Sequence, residues 1–370
     1  MNKIFFIVLL IVLGGVAYFS FTRFADPGAE NVTQRVTESI NKIETEDVSI
    51  LAQGLDTPWA IAFLPDGKIL VTERKGTVRL IEKNGELNGV PIAEIDQVKE
   101  IGEGGLHGIA VDPQFSNNGY VYVYYTYGGS GASTLNRVSR FVFEENKLTD
   151  EKIIVDAIPG ASNHDGGRIK FGPDNYLYIA TGDAQNPSHS QNINSLAGKI
   201  LRVDGEGNPA PDNPFNNLVY SYGHRNPQGL TWDASGQLWA TEHGQSATDE
   251  LNKIEAGNNY GWPETRGDQT KEGTINPAIH SGNETWAPSG ADFLTGSIYF
   301  TGLRGQALYQ AKLVGDNVSV ITHFKNEFGR LREVVAGPDG MLYVTTSNLD
   351  GRGNPREGDD KVLIINPEKL

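Results

Sequence analysis

The sequence predicts an all-β fold, a six-bladed β-propeller of four-stranded blades. Three observations lead there. One strand–turn–strand unit recurs along the chain, with its turn at Pro65, Pro113, Pro173, Asp233 and Pro338. These turns are 48, 60, 60 and 105 residues apart, so the last gap holds two periods. With 44 Gly, 2 Met and 38% hydrophobic residues in 370, the composition suits a turn-rich sheet protein better than a helix bundle.

In order, the chain opens with Lys3 and an apolar run from Ile4 to Phe21, broken only by Gly14, Gly15 and Ser20. A basic start followed by an apolar stretch reads as an export signal over residues 1–24. No small-x-small cleavage site follows, and residues 4–21 nearly span a bilayer, so an uncleaved membrane anchor is the competing reading. Both put the remainder outside the cytoplasm, in the periplasm, with membrane contact only through that segment. Polar residues 25–47 read as a linker to a propeller domain over 48–370.

The first repeat, Trp59–Glu73, holds an apolar strand, a Pro-Asp-Gly turn and a second strand. Leu106–Phe115, continued by Tyr120–Tyr125, is the second copy, Arg168–Gly182 the third and Gly229–Glu242 the fourth. A degenerate fifth lies in Ser289–Phe293 and Gly296–Gly302, and Arg332–Thr346 is the sixth. Pairing Val48–Leu51 with Val362–Ile365 in one blade closes the ring and removes its open edges.

Composition narrows the function. A net charge of −15 without a Lys/Arg cluster argues against a nucleic-acid partner and suits a hard cation such as Ca²⁺. The absence of cysteine removes disulfides, thiolate chemistry, iron–sulfur clusters and Cys-based zinc sites.

In a propeller, the segments just before each inner strand meet at one mouth of the central channel. Here they are Gly102–Gly105, Asn163–Gly167, His224–Asn226, Thr285–Pro288 and Gly329–Arg332. An imidazole, guanidiniums, amides and carboxylates at the same phase of successive repeats make a polar ligand site. Tyr222–Leu230 is the densest of these stretches; its Pro227 and Gly229 suit a loop held between the strand-like runs Leu218–Tyr220 and Leu230–Trp232.

Over about residues 48–366 the chain resembles the soluble quinoprotein sugar dehydrogenases of glucose and aldose type, which use pyrroloquinoline quinone (PQQ). The resemblance rests on Gly102–Gly108, Asn163–Asp174, Thr181–Asp183, Tyr222–Leu230, Glu242–Asn252 and Asn258–Pro263 taken jointly. It implies that His164 takes the proton of the anomeric hydroxyl while hydride moves to the quinone, and that Asp183 orients that imidazole. It implies further that Arg225 polarises a quinone carbonyl, that Asn226 and Thr285 touch the cofactor, and that Arg304, Arg330 and Arg332 hold its carboxylates. Backbone carbonyls of Gly244 and Gln245 match the turn that binds Ca²⁺, with Gln245 standing where the family commonly has Pro. Glu103 falls where the glucose-type enzymes carry Gln, and a carboxylate beside an acidic cofactor needs a proton or a cation partner. Asp249 and Glu250 read as loop-stabilising residues rather than ligands of the ion.

The implied activity is PQQ- and Ca²⁺-dependent oxidation of an aldose to its lactone, with electrons passed to an acceptor that the sequence does not identify. Two readings compete: a Ca²⁺-dependent propeller lactonase, which needs a carboxylate-held ion and no arginine cluster, and a non-catalytic propeller that binds a partner on its face.

Overall fold

The computed structural model describes residues 47–131, 133–315 and 317–370; the export segment read from the sequence lies outside the described residues. Six antiparallel four-stranded sheets form the blades. Their inner strands are Pro58–Phe63, Leu106–Val111, Ile169–Phe171, Pro227–Trp232, Pro288–Leu294 and Leu331–Ala336. Each inner strand packs on the next and the sixth on the first, which closes the ring. The outermost strand of blade six is N-terminal: Val48–Gln53 pairs with Lys361–Ile365, Val48 opposite Ile365 and Ser49 opposite Ile364. The degenerate fifth repeat is a complete blade.

The recurring turn has a local cause. Asp66, Asp112, Asp174, Asp233 and Asp339 each accept a backbone N–H two residues on, at 2.8–3.2 Å, and so close the turn between the first two strands of their blades. Apolar side chains then fill the seams between blades: Trp59, Leu70 and Leu80 with Leu106, Val121 and Val123, or Tyr299 and Leu308 with Val334, Val344 and Leu363.

One backbone feature sets up the site. Five inner strands slip register at their first residues, between Pro58 and Ala60, Leu106 and Ile109, Pro227 and Gly229, Pro288 and Ala291, and Leu331 and Glu333. A bulge at a strand end re-aims the side chain it carries. Here the bulged residues include Trp59, His107, Gln228, Ser289 and Arg332, all buried. Pro227 proves to be the first residue of an inner strand and not part of the loop, which shortens to 223–226. A first strand position needs no ladder N–H, so proline is accommodated there.

Candidate active site

His164 lies where the chain crosses from blade two to blade three. Its backbone is left-handed, with φ of 64°, a conformation costly for a residue with a Cβ. Neighbours hold it: His164 N donates to Glu103 Oε2 at 3.1 Å, and its carbonyl accepts from Ala184 N at 3.2 Å. The strand end beneath must be glycine, because a Cβ on Gly182 would stand 1.9 Å from the His164 carbonyl oxygen.

Asp183 is fully buried after the second strand of blade three. Its Oδ1 is 2.7 Å from His164 Nδ1, and its Oδ2 accepts from Trp262 Nε1 at 2.8 Å. On the other side of the ring, Arg225 Nη2 donates to His164 Nε2 at 2.9 Å. A guanidinium only donates, so Nε2 carries the lone pair and Nδ1 the proton that faces Asp183. The imidazole is thus in the tautomer a general base requires. Its side chain is 19% exposed against 1% for Asp183, so it alone of the pair reaches the mouth.

Arg225 is fixed from several directions. Its amide donates to Glu242 Oε1, its Nη1 donates to the His243 carbonyl at 3.2 Å, and its guanidinium lies 5.3 Å from the centre of the Trp262 ring. Burial pulls this cation below its ordinary value, against the carboxylates of Asp183 and Glu242. Asn226 Oδ1 accepts from Gly166 N at 3.0 Å, which ties the amide to the His164 crossing. His164, Arg225, Trp262, Gln245 and Arg266 line a cavity of ≈ 400 Å³.

The bulged residues make a second layer. Trp59 stacks on His107 with ring centres 4.9 Å apart, and His107 on Tyr124 at 5.7 Å. Guanidiniums of Arg168 and Arg332 lie 4.3 Å and 5.5 Å from the Trp59 ring. Gln228 Oε1 accepts from Arg332 Nη1 at 3.4 Å and from Ser289 Oγ at 3.3 Å, so residues from blades one, two, four, five and six meet.

Arg330 and Arg332 come together around Asp350. Arg330 Nε and Nη2 donate to its Oδ2 at 2.8 and 2.7 Å. Burial lowers Arg332 to about 9, and Asp350 only partly offsets this, so this cation is under-compensated by the protein. Arg304 is exposed on the turn between Ser297–Gly302 and Ala307–Val314, with no ion pair among the described residues.

Glu103 has the cation partner its place demands, Arg352, with Nη1 2.7 Å from Glu103 Oε1. Burial opposes ionisation of Glu103, but the His243 imidazole, the Arg352 ion pair and the His164 amide overcome it and hold the carboxyl down at about 2. At the turn 243–248, Gly244 N donates to Asp249 Oδ1 at 2.8 Å, and Asp249 Oδ2 accepts from the amides of Trp286 and Ala287 at 2.6 and 2.8 Å. Asp249 therefore shapes the turn. Gln245 is exposed and accepts from Arg266, while Thr285 Oγ1 donates to the Ser246 carbonyl at 3.0 Å. The carbonyls of Gly244 and Gln245 accept no hydrogen bond among the described residues. Among those residues, no group of three or more His, Cys, Asp or Glu is arranged to hold a metal ion.

Sequence reasoning assigned no role to Trp262, Trp59, Asp350 or Arg352. Trp262 lies within Asn258–Pro263, one of the stretches that carry the family resemblance, and that is its signal in the sequence. Arg352 had none, because its loop precedes no inner strand.

Residues 55–355 match the family model of glucose/sorbosone dehydrogenases. The PQQ-bound aldose sugar dehydrogenase of Streptomyces coelicolor superposes with a TM-score of 0.80 at 41% identity, over 86% of this chain and 97% of that one. The aldose sugar dehydrogenase of Escherichia coli (strain K12) is 31% identical over 83% of this chain and 91% of its own length. The quinoprotein glucose dehydrogenase B of Acinetobacter calcoaceticus is 33% identical over 61% of this chain and 54% of its own.

Proposed function

The chain belongs to the glucose/sorbosone dehydrogenase family, and we propose that it is a PQQ- and Ca²⁺-dependent aldose dehydrogenase acting on the anomeric hydroxyl of a sugar. The observation that carries this is the arrangement of Asp183, His164 and Arg225 in one hydrogen-bonded line at the mouth, with the base lone pair on Nε2.

The donor chemistry around that line fits the cofactor. Arg225 Nε, Asn226 Nδ2 and His243 Nε2 are buried with no protein partner among the described residues. The unmet donors of Arg225 and Asn226 are costly to bury and suit an acceptor-rich quinone. Arg330 and the under-compensated Arg332 suit its carboxylates. Gly244 and Gln245 would offer Ca²⁺ two hard carbonyl ligands. A lactonase would need a carboxylate-held ion, and among the described residues no group of three or more His, Cys, Asp or Glu is arranged to hold one.

PQQ, when bound, supplies the acceptor for the hydride of the sugar's anomeric carbon. The protein's part is proton transfer and electrostatics. The sugar hydroxyl displaces Arg225 from His164 Nε2 and gives its proton to that nitrogen; Asp183, buried against Trp262, stabilises the resulting imidazolium. The Arg225 guanidinium, a fixed cation beside His164, would stabilise negative charge that develops on an acceptor oxygen. The basic and then apolar start of the sequence supports export to the periplasm.

The test is to add PQQ and Ca²⁺ to the purified chain and follow aldose-dependent dye reduction. We expect activity that needs both additions and is lost in His164→Ala. No cofactor uptake and no activity over a broad sugar panel would favour a non-catalytic binding module.

A further inference from the structure

A line of contacts runs from the arginine cluster to the backbone of the base. Arg330 Nε donates to Asp350 Oδ2 at 2.8 Å, and Arg352 N donates to Asp350 Oδ1 at 2.9 Å. Arg352 then spans the mouth: Nη1 donates to Glu103 Oε1 at 2.7 Å and Nη2 to Asn163 Oδ1 at 2.8 Å. The other oxygen of Glu103 accepts from His164 N at 3.1 Å. One guanidinium on the last loop of blade six thus joins the crossings into blades two and three.

An exposed ion pair is ordinarily worth little. This one is unequal: Arg352 is 50% exposed but Glu103 only 19%, and the guanidinium engages two partners at once. Without Arg352, a largely covered carboxylate would face the site unpaired. We propose that Arg352 is a positioning residue that makes Glu103 compatible with an anionic cofactor and fixes the crossing that carries His164. The proposal rests on the quinone reading above, because only an anion at the mouth makes the sign of Glu103 matter.

The experiment compares the unchanged chain with Arg352→Gln, Arg352→Lys and the double variant Glu103→Gln/Arg352→Gln. Uptake of PQQ in the presence of Ca²⁺ is read by absorbance titration, and hydrogen exchange of residues 161–167 is read without cofactor. Leaving the carboxylate unpaired should weaken uptake by about tenfold or more in Arg352→Gln. Removing that charge in the double variant should restore it to within about threefold. Arg352→Lys, which keeps the charge, should fall between these and serves as the probe if Arg352→Gln folds poorly. Exchange over 161–167 should quicken in Arg352→Gln. A loop tether with no electrostatic role would show no rescue by Glu103→Gln, and that result, or unchanged uptake in Arg352→Gln, overturns the proposal alone. Failure of the unchanged chain to take up PQQ overturns the proposed function and this inference with it.

Discussion

At His164, three neighbours share out one imidazole: Asp183 holds the proton side, Arg225 covers the lone pair, and Glu103 fixes the backbone in a left-handed turn. Trp262 acts behind them, through Asp183 Oδ2. Trp262→Phe keeps an aromatic face beneath Arg225 but removes that hydrogen bond to a charged group, a loss of about 1.5–3 kcal/mol. We expect kcat to fall about 10–100-fold with KM little changed, measured as steady-state dye reduction. Asp183→Asn should cost more, since it also removes the charge opposite the imidazolium. Glu103 supplies a pH test. Its carboxyl is held at about 2 against an ordinary 4.5, so its ionised form stabilises the fold fully above pH 4.5. That contribution fades as pH falls towards 2. Unfolding free energies measured across this window should show the unchanged chain losing more stability than Glu103→Gln.

Among the elements, the bulged inner strands matter most. Their slips turn Trp59, His107, Gln228 and Arg332 into mutual contact beneath the mouth. Trp59→Ala would empty a buried ring sandwiched by His107, Arg168 and Arg332; we expect a loss of about 3–5 kcal/mol in denaturant unfolding. Lys199 plays a comparable part for the loop after blade three's second strand. It is fully buried, and its Nζ donates to the carbonyls of His189, Ser190 and Ala197 at 2.7–3.0 Å. Lys199→Met would strand those acceptors and should cost about 3 kcal/mol or more by the same measurement. The turns were legible in the sequence because an aspartate that closes its own turn is a local event, repeated blade after blade. The bulges were not, because a bulge is a mismatch with the partner strand and leaves no trace in either strand alone.

For the whole molecule, closure by Val48–Gln53 brings the two ends of the propeller into one blade. Deleting residues 48–53 should leave Lys361–Ile365 as an open edge, and light scattering should then reveal association. The same closure explains which site residues the sequence could place. His164, Arg225 and Arg330 precede inner strands, so repeat phase carries them to one mouth. Arg304 and Arg352 lie instead on turns between the second and third strands of their blades, which the segments before inner strands do not mark. Position along the ring is written in the period; reach towards the axis is written only in side-chain paths. The decisive measurement loads the unchanged chain and His164→Gln with PQQ and Ca²⁺, excludes oxygen, and follows the cofactor's absorbance after an aldose is added. Prompt bleaching in the unchanged chain, and bleaching slowed about 100-fold or more in a His164→Gln chain that binds PQQ equally well, is the outcome we expect. Equal rates in the two chains, or no bleaching with any aldose, would contradict a quinone dehydrogenase built around His164.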